Sequence, residues 1–126
     1  VPLAGCDLRP QATTPTPPPP TADERLVEET AAAIRAARDV AAVVPEGRQL
    51  AGVHEAHLTA LGAASAPSAP ADPASADLRA TEAGLESALT DAATRASDGA
   101  LARLLASMAA SVAQHLAVLP HPKATR

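Results

Sequence analysis

The sequence predicts an all-α domain, an antiparallel up-down-up-down four-helix bundle, and three observations predict it. Hydrophobic residues make up 47% of the chain while Phe, Trp and Tyr are absent, so the core has to be built from Leu, Val, Ile and Ala with a single Met. Ala and Leu lead the helix scale, and the aromatic strand formers are missing. Four segments also carry apolar residues at the alternating three- and four-residue spacing of a helix stripe. Finally, the turns at 45–47 and 97–99 are short, whereas the link SAPSAPADPAS at 65–75 is longer than most helix connections. That contrast sorts the helices into two hairpins.

The first helix, 22–44, follows Thr21, a good N-cap, with Glu24 three residues on as in a capping box. Leu26, Thr30, Ala33, Ala37, Val40 and Val44 form its stripe, and Pro45-Glu46-Gly47 ends it. The second runs over 48–64 with Leu50, Val53, Leu58 and Leu61 apolar. The third, 75–96, carries Leu78, Leu85, Leu89, Ala92 and Ala96, and Ser97-Asp98-Gly99 turns the chain. The fourth, 100–119, carries Leu101, Leu105, Met108, Val112 and Leu119, and Pro120 and Pro122 close it ahead of a tail at 120–126. A core this rich in alanine buries less area than a leucine core, at about 25 cal/mol per Å², so modest stability is expected.

Outside the bundle, Leu3-Ala4-Gly5-Cys6 resembles a bacterial lipobox, in which the cysteine carries lipid. The resemblance implies that 1–6 is the remnant of a lipoprotein signal and that Cys6 is lipidated. Residues 7–21 follow as a tether: Pro15 and Pro17 to Pro20 favour extended polyproline II, about 3 Å per residue. A domain held on the extracytoplasmic face of the cell membrane is expected.

Several classes are disfavoured. A net charge of −4 without a basic patch, together with the lack of aromatics, argues against nucleic acid. No apolar run reads as long enough to span a bilayer. One cysteine forms neither an internal disulfide nor a cysteine zinc cage. There is no Gly-rich phosphate loop and no haem-attachment motif. Ser107 and Ser111 have no base at triad geometry, so no catalytic residue is assigned.

Polar residues interrupt the stripes. His54 and His57 fall inside the apolar arc set by Leu50 and Leu61; Glu82 takes the seam position between Leu78 and Leu85; His115 takes the one between Val112 and Leu119; Glu29 lies at the stripe edge beside Thr30. Glu28, Arg35, Asp39 and Asp91 read as solvated surface. Buried polar groups should be paired or coordinating. Counted back from the two turns, and taking both turns to share one end, Glu82, His115 and Glu29 come out level, with His57 about a turn short.

This arrangement resembles the ferritin-like superfamily, and in its alanine-rich character the ferritin-like envelope lipoproteins of actinobacteria. That superfamily takes a carboxylate from helices one and three and a Glu-x-x-His pair from helices two and four. The resemblance matches Glu29 and Glu82 to the carboxylates. It sets His54 to His57 at one pair, with His54 replacing Glu, and Val112 to His115 at the other, with Val112 replacing Glu. Two bridging carboxylates are therefore missing, which argues against an oxidase. The remaining ligand set, His54, His57, His115, Glu82 and Glu29, suits one transition-metal ion, Zn, Cu, Ni or Fe. The plainer alternative is a satisfied core histidine or a buried ion pair. Two functions are expected from this: metal binding or sequestration at the envelope, or a metal-free helical module docking an envelope partner.

Overall fold

Side-chain capping starts three of the four helices. In the computed structural model, which describes residues 13–68, 70–73 and 76–121, Thr21 caps α1 (Ala22–Val43). Its hydroxyl accepts the Glu24 N–H at 3.1 Å, and the Glu24 carboxylate accepts the Thr21 N–H at 2.6 Å. This is the capping box read from the sequence. A 3₁₀ turn at Pro45–Gly47 leads into α2 (Arg48–Ala60). Asp77 caps α3 (Leu78–Arg95) by accepting the Ala80 N–H, and Asp98 caps α4 (Gly99–Val118) by accepting that of Leu101. The described residues contain these four helices and no strand. Cys6 and the start of the tether lie outside them.

Two boundaries differ from the periodicity. α2 stops at Ala60 rather than 64, because Gly62 takes a left-handed conformation (φ 67°) and the Ala63 N–H folds back to Leu58 O. α3 begins three residues later than expected, at the first position after Asp77. A further difference concerns α4: by length and composition it is apolar enough to cross a bilayer, contrary to the reading of the sequence. Its Leu105, Met108, Ala109 and Val112 are buried in the bundle.

The order of helix directions departs from up-down-up-down. α1 and α2 form an antiparallel hairpin. At the start of α1, the Asp23 carboxylate accepts the N–H groups of Ser97 and Asp98, and Glu29 pairs with Arg95, so the α3–α4 turn lies beside the beginning of α1. At the other end, Val44, Leu78 and Leu119 line one cavity of about 460 Å³, and Arg79 Nη2 donates to Leu119 O at 2.5 Å. α3 is therefore antiparallel to α1 and parallel to α2. The two short turns sit at opposite ends of the molecule.

The link after α2 makes this possible, because its residues 64–68 lie along α1. Arg35 Nε donates to Ala64 O at 2.8 Å, and Asp39 accepts the Ser68 N–H at 2.7 Å. Between them lies Arg38, only 7% exposed. Its guanidinium donates to Asp39, Glu55, the Ser65 carbonyl and hydroxyl, and Ala66 O, all at 2.8–3.2 Å. Burial works against its charge, and the bonds to Asp39 and Glu55 outweigh this and raise its pKa. Arg35 and Asp39, expected on the free surface, thus hold the crossover.

The core has two parts. The larger contains Ile34, Leu58, Leu85, Leu89, Leu105 and Val112 among others; the smaller, near the 3₁₀ turn, contains Ala41, Leu50 and Leu78. Arg38→Met keeps the apolar stem and removes every charged bond to the crossover, and should cost about 2–3 kcal/mol in urea unfolding. Gly47 is buried, and a Cβ there would collide with the Ala41 backbone, its carbonyl oxygen first. Gly47→Ala should therefore lose about 1–3 kcal/mol, read as a lower Tm.

Candidate functional site

Between the two parts of the core lies a polar layer. On α2, His54 follows Leu50 of the small cluster and precedes Leu58 of the large one; on α3, Glu82 stands in the same way between Leu78 and Leu85. Both side chains have 0% exposure. Because α2 and α3 run the same way from the same end, the two meet through the interior, His54 Nε2 to Glu82 Oε1 at 2.8 Å.

His57 stands one turn along α2 and is half-buried, its ring centre 5.9 Å from that of His54 and the two planes tilted by 50°. Burial pushes its pKa below 6.5; the neighbouring His54 and His115 act in the same direction, and Glu82 opposes them. From α4, His115 Nδ1 lies 2.7 Å from Ser111 O. A carbonyl only accepts, so Nδ1 carries a proton, and in the neutral imidazole the lone pair is on Nε2. The structure therefore brings four of the expected residues, His54, His57, Glu82 and His115, into one neighbourhood.

Glu29 is not among them. It is 64% exposed in its side chain and pairs with Arg95 at 3.0 Å, at the opposite end of the bundle. The level count took both turns to share an end, and the crossover places them apart. At the level of the site, α1 contributes the buried Arg38 instead. Its spacing to Ile34 and Ala41 on one helix face was the available signal.

Three polar atoms in the layer are buried without a partner: Nδ1 of His54, Nδ1 of His57 and Oε2 of Glu82. Buried polar atoms of this kind call for an ion, a water or a proton. No known protein family, curated protein or solved structure matches the chain. What the layer can do follows from its donors alone. Among the described residues, no three His, Cys, Asp or Glu side chains converge closely enough to hold a metal ion. A two-metal, carboxylate-bridged centre does not fit, since Glu29 is remote and His54 and Val112 stand where that pattern has Glu. The two unpartnered Nδ1 atoms of α2 are donors of the type a single transition-metal ion takes.

The lowered His57 pKa has a consequence for stability. Above pH 6.5, the ordinary value, both folded and unfolded chains hold this imidazole neutral. Below it the unfolded chain takes up a proton that the folded chain resists, so stability falls with falling pH. Tm should decline as the pH drops below about 6.5, and His57→Gln should flatten that decline in parallel melts.

Proposed function

We propose that this chain is an envelope lipoprotein, anchored through Cys6, whose ferritin-like helical domain binds or sequesters one transition-metal ion at the imidazole layer. The observation that carries the reading is the pair of buried, unpartnered Nδ1 atoms on consecutive turns of α2, His54 and His57. The single long crossover between two helical hairpins supports the likeness, since ferritin-like bundles have one such connection. His54 and His57 would hold the ion. His115, whose neutral imidazole has its lone pair on Nε2, would add a third donor on turning toward them. Imidazole donors suit Zn, Cu, Ni or Fe, and sequestration requires no redox or hydrolytic step.

A second reading has its own support. His54 and Glu82 satisfy each other at 2.8 Å, and no three donors close on a point among the described residues. On this reading the layer is a structural pair, and the bundle is a metal-free module that docks a protein of the envelope.

Thermal melts with Zn²⁺, Cu²⁺, Ni²⁺, Fe²⁺ or EDTA separate the two. An ion present at a hundred times its Kd stabilises the native state by about 2.7 kcal/mol. The metal reading expects that rise in wild type and its loss in His57→Ala/His115→Ala, which leaves the His54–Glu82 pair intact. Identical melts under all conditions would leave the docking module, whose partner binding the double variant would not change. Expressed with its signal in a bacterial host, the chain should carry a lipid mass on Cys6; an unmodified thiol would remove the anchor from the proposal.

A further inference from the structure

We infer that Glu82 is a positioning residue rather than a ligand: it fixes the His54 tautomer, so that one borderline divalent ion is held by the Nδ1 atoms of His54 and His57. This rests on the metal reading above and changes the ligand set the sequence suggests.

The hydrogen bond sets the tautomer when Glu82 is ionised and His54 neutral. A carboxylate only accepts, so at 2.8 Å the His54 Nε2 is then the donor. A neutral imidazole carries one N–H, and His54 Nδ1 is left as a bare lone pair. That atom is buried and has no partner. A metal-binding histidine commonly donates its other N–H to a carboxylate in this way, which fixes ring orientation and raises donor strength. His54 and Glu82 supply that relation with no ion present.

Direct ligation by Glu82 is disfavoured on two grounds. Drawing Oε1 away would strand the His54 N–H in an interior with 0% exposure, and a buried donor left unmade costs about 1–3 kcal/mol. Oε2 also lacks a partner, yet it does not converge with the two imidazoles, since no three donors close on one point among the described residues. The imidazoles are neighbours on α2. They lie three residues apart on one helix face, and a ring-centre separation of 5.9 Å is compatible with two metal–nitrogen bonds of about 2.0–2.1 Å. A donor pair of this kind takes Zn²⁺, Cu²⁺ or Ni²⁺ and discriminates against Ca²⁺ and Mg²⁺, which require oxygen ligands.

The test is ¹⁵N imidazole NMR of the full chain near neutral pH, first metal-free and then titrated with Zn²⁺, with the Glu82 side-chain carboxyl followed by ¹³C. Metal-free wild type should show His54 protonated at Nε2 and bare at Nδ1. Zn²⁺ should shift Nδ1 of both His54 and His57 and leave the Glu82 carboxyl unmoved. Glu82→Gln keeps the volume, but its amide can donate to Nε2 and send the imidazole proton to Nδ1. Zn²⁺ affinity should then fall about 10–100-fold while circular dichroism stays helical. His54 protonated at Nδ1 in the metal-free chain, or Zn²⁺ shifts at His54 Nε2 with a moving Glu82 carboxyl, would overturn the inference and leave the metal reading standing. Zn²⁺ shifts at no imidazole would overturn both. The wild-type spectra decide the question even if the variant folds poorly.

Discussion

The direction of the second hairpin is the constraint on which the rest of the structure depends, and Arg38 holds it. A connection as long as 61–77 can deliver α3 in either sense. Here the returning chain is bonded along α1 through Arg35, Arg38 and Asp39, and the guanidinium takes two carboxylates and two carbonyls at once. A planar guanidinium with five donors can saturate such a site, where a lysine ammonium has only three. The result is that α2 and α3 start from the same end. With the opposite sense, Glu82 would lie at the far end of the bundle and His54 would face an apolar interior alone.

The polar layer divides the core, and that division carries information the apolar contacts lack. Leucine and alanine stripes tolerate sliding and reversal, because one methyl group resembles the next. A fully buried imidazole–carboxylate pair does not, since misregister would leave two polar groups unpaired in a dry interior. Such a pair adds little net stability, its desolvation offsetting its attraction. Its effect here is to tie the α2 register to the α3 register at one level, with Leu50 and Leu78 on one side and Leu58 and Leu85 on the other. The same layer leaves three buried polar atoms unpartnered, so the feature that sets the register also has chemistry to spare.

Much of this was legible from local spacing. The capping box at Thr21 and Glu24, the turns after Val44 and Ala96, and the inward positions of His54 and Glu82 all depend on residues within a few places of each other. The position of Glu29 was not legible, because it depends on which end of the bundle the second hairpin starts from, and no short-range pattern encodes that. Arg38 was half legible. It shares a helix face with Ile34 and Ala41, but arginine reads as surface unless its partners are known, and those sit on the crossover and on α2. The early stop of α2 came down to one glycine: apolar residues continue past Ala60, while Gly62 has already left the helical conformation.

The alanine-lined face of α1 has one more consequence, in entropy. Ala31, Ala37 and Ala41 are 0–2% exposed and form much of the buried face of that helix. An alanine side chain has no rotamers to lose on folding, whereas ordering a long side chain such as methionine costs up to about 1.5–2 kcal/mol. Each alanine contributes little buried area, but almost none of that contribution is cancelled by lost side-chain freedom. On the helix against which the crossover and both neighbouring helices pack, these three positions are thus ordered at almost no cost in side-chain freedom.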